Sequence, residues 1–514
     1  MTAERADGKA PAATPRAGAI GRTVAVGALF AATLVVLSVV AVLRWSAANL
    51  AADAILQSVM SVQDVRWFFW GQNRFASVVP ALTSPIADPA VNLFAGQLVN
   101  ALAFYGLLLL LAAVAVPALT DRRGWQPVLV VFLLLAATAQ LVLAPLPLYF
   151  MALDAQPYSL SWLLGLGSFL LWRGQRWWAV ALGGMLAWLA VGLNPSVVLG
   201  VAVLAVGQML RRREWIRWPA FGVVWLAGLG AWTLVARRYP PVPGPVTFDD
   251  PDYYAFHLRL FADGARQSAG AIGDAFATTV TIVLAAIAVV CLFAVPARVR
   301  AALLIRVGLL AVFAAGYWML FTGNSWVAAN GWGVRYFFPV VVAVVVALAT
   351  PVAAALLTIR AGDAVPVAVA ATACALTCIG PQTPLSAARV LTEVEPTADF
   401  ARSAGIHYVA GSYWYAWPVL HQLLDEGRDA AFATALRSDG DPTAYRVPFD
   451  QDLAAGRRPQ AICVNDSADS CVSYLNYWTE PGWSAAPVGT CPAPPLPGTD
   501  GTCLVLEFSG PPTS

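Results

Sequence analysis

Apolar runs of roughly the ~20 residues needed to cross a bilayer recur between residues 23 and 380, separated by short polar segments. Eleven are read at about 23–43, 93–117, 127–144, 158–173, 177–193, 195–210, 219–236, 276–296, 304–321, 335–358 and 364–380. Peptide groups find no water partner in hydrocarbon, so such runs are expected as helices and not as an open sheet. Asn194 and Pro195 leave open that 177–210 folds as a tight hairpin. The pattern changes in ADAILQSVMSVQ (52–63), where Ile55, Val59 and Val62 share a helical face with Leu56 and Met60 beside them. This predicts a short helix lying in the membrane interface. From residue 381 the long runs stop and Pro, Gly, Asp and Ser become frequent. There IHYVAG (406–411), QAICVN (460–465) and TCLVLEF (502–508) read as strands, and VLHQLLDEGRDAAFATAL (419–436) as a helix broken at Gly427. The pattern predicts a polytopic α-helical membrane protein of about 11 spans with a small C-terminal α/β or α+β domain. Its parts are a disordered tail (1–22), a transmembrane domain (23–380) with a first outer loop at 45–92, and the tail domain (381–514).

Composition agrees. The chain is 59% hydrophobic and 12% charged, against about 25% charged for soluble domains, and its mean hydropathy is +0.67. The first run exceeds the 7–15 residues of a signal-peptide core, so it is expected to remain as a helix. Arg122 and Arg123, Arg173 and Arg176, Arg211–Arg213 with Arg217, and Arg298, Arg300 and Arg306 fall in alternate short loops. With the basic N-terminal tail, they place those loops and the N-terminus in the cytoplasm. The intervening loops, carrying Asp64, Asp154, Asp249, Asp250 and Asp252, lie outside, and an odd number of spans delivers the tail domain outside as well. Arg237 and Arg238 dissent, but they open a long loop, where the charge rule weakens.

Cysteine placement bears on the same topology. Cys291, Cys374 and Cys378 lie in apolar runs, whereas Cys463, Cys471, Cys491 and Cys503 lie in the tail. Four cysteines in an extracytoplasmic segment predict two disulfides, with three pairings open. No Cys-x-x-Cys spacing supports zinc instead. There is no Walker loop and no Gly-x-Gly-x-x-Gly after a strand, which excludes ATP-driven transport within this chain. A net charge of +2 and the lack of a long basic run exclude nucleic acid as a partner.

Candidate chemistry concentrates in the outer loops. SVQDVRWFFWGQNRF (61–75) brings Asp64, Arg66, Gln72, Asn73 and Arg74 together with tryptophans. A carboxylate at headgroup depth can act as general base toward a hydroxyl, which singles out Asp64. Planar donors such as Gln72 and Arg74 suit hydroxyls and phosphate. The bland reading of Asp64 is a salt bridge to Arg66 or Arg74, and that of the tryptophans is the interfacial belt. LYFMALDAQPYS (148–159) adds Asp154, Gln156 and Tyr158 on the same side. FDDPDYYAFHLRLF (248–261) offers Asp249, Asp250 and Asp252, which fit a solvated turn better than a divalent-cation site, and His257, read as a packing residue. In NGWGVRYFFP (330–339), Arg335 marks the mouth of a late span. There it either meets an anionic lipid phosphate or snorkels to the interface.

Taken together, QDVRWFFWGQNRF, the QPY of the second loop and the RYFFP before a late span resemble the GT-C superfamily of membrane glycosyltransferases. The likeness covers roughly residues 20–380 and is strongest to bacterial enzymes of the dolichyl-phosphate-mannose-mannosyltransferase and arabinosyltransferase type; GSYWYAWPV (411–419) resembles tail segments of related proteins. The resemblance implies an integral enzyme of a bacterial-type plasma membrane. It would pass a hexosyl or pentosyl group from a polyprenyl-phosphate donor to a glycan, lipid or protein acceptor outside the cell, inverting the anomeric centre. It implies that Asp64 is the base and that Arg335 or Arg74 stabilises the donor phosphate. Gln72, Tyr336, Asp154, Gln156 and Tyr158 are the further substrate-binding candidates. No cofactor is required, and a divalent cation is at most optional. The sequence departs from the family in having a lone first-loop acid, Asp64, where many members have two. The rival expectation is a transporter or flippase of a lipid-linked glycan or small solute. Ionisable groups in the span centres would favour it, and the predicted spans contain almost none.

Overall fold

The computed structural model describes residues 17–69, 75–122, 124–154, 157–174, 176–212, 214–238, 253–359, 364–424, 434–436, 449, 451–465, 467–471, 484–494 and 501–509. Within them, the helices Thr23–Asn49, Pro89–Leu119, Arg217–Ala236, Ala297–Thr322 and Val334–Thr358 are long and apolar enough to cross a bilayer. Six shorter apolar helices accompany them: Gln126–Val142, Tyr158–Trp172, Trp177–Leu193, Val197–Leu210, Thr278–Ala294 and Ala364–Thr377. Each apolar run of the sequence holds one of these helices. The 177–210 stretch forms two helices, interrupted at Asn194, whose side chain accepts a hydrogen bond from Ser196 N at 3.0 Å. The bundle's outward face is oily: Ile282, Val290 and Phe293 on one helix and Ile305, Leu309 and Val312 on another are well exposed. Such a continuous apolar surface is unfavourable in water and suited to lipid.

The predicted 52–63 helix forms as Ala52–Gln63, and every residue from Ala52 to Ser61 is buried. It is held by a polar seam against the start of the Pro89–Leu119 helix, which Asp88 caps through Val91 N at 2.8 Å, with Pro89 in its first turn. Asn92 Nδ2 donates to Ser61 Oγ, Thr83 O and Ile86 O, each at 2.9 Å. One turn on, Gly96 leaves room for the Gln57 amide, where a Cβ would meet Oε1 at 3.4 Å. Asn100 then donates to Gln57 Oε1 and to Leu153 O, both at 3.3 Å. Asn92, Gly96 and Asn100 recur every four residues, so they form one stripe that fixes the short helix in rotation and height.

Among the described residues of the tail, five strands form one sheet in the order β2-β1-β3-β5-β4. They are β1 (Tyr408–Gly411), β2 (Thr434–Leu436), β3 (Gln460–Asn465), β4 (Ser484–Thr490) and β5 (Thr502–Ser509). β1 pairs in parallel with β2 and β3, and β5 runs antiparallel to β3 and β4. Central β1 and β3 are buried almost throughout, whereas edge strand β4 is exposed and carries Pro487. Proline belongs on such an edge because it cannot donate to the ladder. Two disulfides, Cys463–Cys471 and Cys491–Cys503, realise one of the three pairings, and Cys291, Cys374 and Cys378 stay free. The 419–436 segment departs from its expected form. The helix starts earlier, Tyr413–Leu424, and Thr434–Leu436 pairs as an edge strand. The Tyr413–Leu424 helix lies against Ala52–Gln63, so bundle and tail share one hydrophobic core.

Candidate active site

Three elements meet at one end of the bundle. The Ala52–Gln63 helix supplies Asp53 in its first turn, where a carboxylate is favoured by the exposed helix amides. The Pro145–Ala152 helix leads into Asp154, and the turn Val334–Phe337 presents Arg335 before the Phe338–Thr358 helix. Tyr149 ties the first two elements together: its hydroxyl accepts from Ala51 N at 3.1 Å and its carbonyl from Asp154 N at 3.1 Å. Asn100 braces both, since Leu153 and Gln57 are its partners.

The side chains converge on Arg335. Its Nη1 lies 3.0 Å from Asp53 Oδ2 and 3.5 Å from Asp154 Oδ2. Arg335 is 13% exposed, Asp53 11% and Asp154 0%, so this is a buried acid–base–acid triad and not a surface ion pair. Nη2 of Arg335 donates to the Tyr336 hydroxyl at 3.4 Å, and the guanidinium faces the Phe150 and Tyr336 rings at 5.6 and 5.3 Å. Tyr158 closes the aromatic wall, edge-on to Tyr336 at 6.4 Å and stacked with Phe338 at 6.3 Å. The remaining Asp53 oxygen, Oδ1, accepts from the hydroxyl of Tyr413. Charged groups this deeply buried persist only when paired and hydrogen-bonded: Asp53 is hydrogen-bonded at both oxygens, and Asp154 is ion-paired to the same guanidinium.

The turn that aims Arg335 is backed by unusual backbone. Trp332 is a buried residue with φ of 51°, and its Nε1 donates to Thr322 O at 2.9 Å. Its indole sits where a Cβ on Gly264 would be, within 2.3 Å. A bulky residue in the left-handed region costs on the order of 1–3 kcal/mol and persists only where packing dictates it.

Of the residues singled out by sequence, Asp154, Tyr158, Arg335 and Tyr336 come together here. Asp64 stands elsewhere. It is the residue that ends the Ala52–Gln63 helix, half-exposed and bridged to Arg66 at 2.8 Å. Gln72, Arg74 and Gln156 lie outside the described residues, as do Asp249, Asp250 and Asp252. His257 is half-buried, with Nδ1 2.7 Å from Gly323 O. Among the described residues, no group of three or more His, Cys, Asp or Glu side chains could hold a metal.

Sequence reasoning missed Asp53 and Tyr413. The available signal for Asp53 was that it is the one ionisable residue in an otherwise uncharged helix, ADAILQSVMSVQ.

Residues 67–69 and 75–76 are fixed by backbone hydrogen bonds and tryptophan packing. Phe68 bridges to Ala76, Phe69 N donates to Phe75 O at 3.3 Å, and Ala76 N donates to Gly192 O at 2.8 Å. Trp232 packs edge-on against Trp67 and Phe68 and stacks on Trp188 at 4.9 Å. The WFF segment therefore anchors the loop to the bundle.

No family model and no curated protein matches the chain. Among solved structures, the fold is similar to the crystal structure of ArnT from Cupriavidus metallidurans bound to undecaprenyl phosphate. The identity is 14% and the TM-score 0.47, over 95% of this chain and 98% of that one.

Proposed function

We propose that this chain is an integral membrane glycosyltransferase that moves a hexosyl or pentosyl group from a polyprenyl-phosphate donor to an acceptor hydroxyl on a glycan, lipid or protein. The observation that carries the reading is the Asp53–Arg335–Asp154 triad, a guanidinium held between two buried carboxylates at the end of an apolar bundle. Ionisable groups at such a place are costly and mark function by default.

In this proposal Asp53 replaces Asp64 as the base. The Asp53 carboxylate is held at a fixed place beside Arg335, where it can meet an acceptor hydroxyl. Asp53 accepts the proton of the acceptor hydroxyl, and the acceptor oxygen bonds to the anomeric carbon from the face opposite the phosphate. The carbon–oxygen bond to phosphate breaks, and its electron pair leaves with the polyprenyl phosphate. Arg335 offsets the charge that develops there. Asp154 pins the guanidinium, and Tyr158 and Tyr336 wall the sugar side. Arg74, Gln72 and Gln156 are proposed as further substrate contacts. The bundle offers the lipid chain an apolar surface, and transfer from a lipid-phosphate donor needs no nucleotide, consistent with a sequence that carries no Walker loop.

The test uses the full chain reconstituted in lipid with radiolabelled polyprenyl-phosphate hexoses and pentoses. Asp53→Asn is expected to lower transfer at least a hundredfold while undecaprenyl phosphate still binds. Loss of transfer in Asp64→Asn instead would return the role of base to Asp64. Flux of an intact lipid-linked sugar across the bilayer, with no covalent product, would favour a flippase.

A further inference from the structure

The tail is more than an appendage. Its Tyr413–Leu424 helix is fastened to the first loop at two points: Tyr413 donates to Asp53 Oδ1 near its start, and His421 Nε2 lies 3.3 Å from Pro89 O near its end. Trp417, fully buried, packs between them, and its ring meets that of Tyr413 at 6.3 Å. The turn before the helix is also constrained. Gly411 has φ of 112°, a Cβ there would meet Val464 O at 2.0 Å, and Ser412 N donates to that same carbonyl at 2.9 Å. Strand β1 therefore hands over to the helix at one fixed angle, and that angle sends the Tyr413 ring to Asp53.

We infer that Tyr413 is a positioning residue for Asp53, so that the tail completes the site built by the bundle. Arg335 fixes one carboxylate oxygen from the bundle side and the Tyr413 hydroxyl fixes the other from the tail side. A carboxylate gripped at both oxygens is held in one rotamer, and it presents the same lone pair to each incoming hydroxyl. A misplacement of about an ångström at a reacting group can cost on the order of a hundredfold in rate. The inference rests on the proposal that Asp53 is the base.

Tyr413→Phe keeps the ring and its packing on Trp417 and removes only the donor. In the reconstituted full chain it is expected to lower kcat about tenfold with the donor KM changed less than twofold. The affinity for undecaprenyl phosphate should stay constant. In an Asp53→Asn background the same change should add nothing further. Trp417→Phe serves as the packing control; it should lower the melting temperature with kcat nearly unchanged. An unchanged kcat in Tyr413→Phe, or a loss no greater than that of Trp417→Phe at equal loss of stability, overturns the inference while leaving Asp53 as base. Full transfer by Asp53→Asn overturns the assignment of Asp53 as the base on which the inference rests.

Discussion

Asp53 Oδ2 and Arg335 Nη1 lie 3.0 Å apart although 282 positions separate them in the chain. The contact closes the bundle on itself, and Asp154 makes it a triad. Removing one member of a buried ionic cluster strands the others, at about 3–5 kcal/mol. Arg335→Met is therefore expected to lower the detergent melting temperature clearly and abolish binding of undecaprenyl phosphate. Arg335→Lys should recover stability in part and binding poorly, since an ammonium cannot span two carboxylates as a guanidinium does. Wild-type melting and binding in Arg335→Met would remove Arg335 from both roles.

Asn92 predicts the stability of the seam. Its amide donates to three acceptors at 2.9 Å in a fully buried place. Asn92→Leu leaves Thr83 O and Ile86 O without that donor, at a cost of about 2–3 kcal/mol. Thermal unfolding should register this, and activity should fall with it because the Asp53 helix hangs from the same seam. Equal melting curves for variant and wild type would contradict the account.

Gly192 predicts the anchoring of the first loop. A Cβ there would approach the Trp232 indole to 2.1 Å, and Trp232 is the ring that holds Trp67 and Phe68. Gly192→Ala is expected to cost about 1–3 kcal/mol through overpacking. It should also make the 67–76 loop more accessible to protease, which limited digestion followed by mass spectrometry would detect. Unaltered digestion kinetics would show that the loop is held by other means.

The tail disulfides give a prediction independent of any substrate. Alkylation of the denatured, unreduced protein should label three cysteines, Cys291, Cys374 and Cys378, and prior reduction should raise the number to seven. Cys463→Ser should expose Cys471 to the reagent and destabilise the sheet by about 2–4 kcal/mol. Labelling of more than three before reduction would refute the pairing.

The sequence pattern carried the helices well, because an apolar run of bilayer length has few alternatives to a helix. It carried the Ala52–Gln63 helix and three of the five strands for a different reason, a period along the chain that matches the element. Strand β4, SAAPVGT, escaped because its residues lack β propensity, and it owes its form to pairing with β5. Thr434–Leu436 escaped because a helical pattern continued over it, and pairing with β1 prevailed.

The site was half legible. Arg335, Tyr336, Asp154 and Tyr158 stood out as polar or aromatic residues at the ends of spans. Asp53 did not, because a lone acid within an amphipathic helix reads as part of the helix. What distinguishes it from Asp64 is a partner on the far side of the chain, and pattern along the chain carries no information on that. Tyr413 was hidden more deeply still, within a tail segment whose docking on the bundle has no local signature.

The hydrogen bond from Tyr413 to Asp53 spans 360 positions, so the residue that grips the acid is made long after the acid itself. A chain ending before residue 413 lacks the donor to Asp53 Oδ1, so on the proposed roles it is expected to leave Asp53 held by Arg335 alone. Under that proposal, assembly order acts as a built-in check, with competence waiting on the folding and docking of the last-made portion.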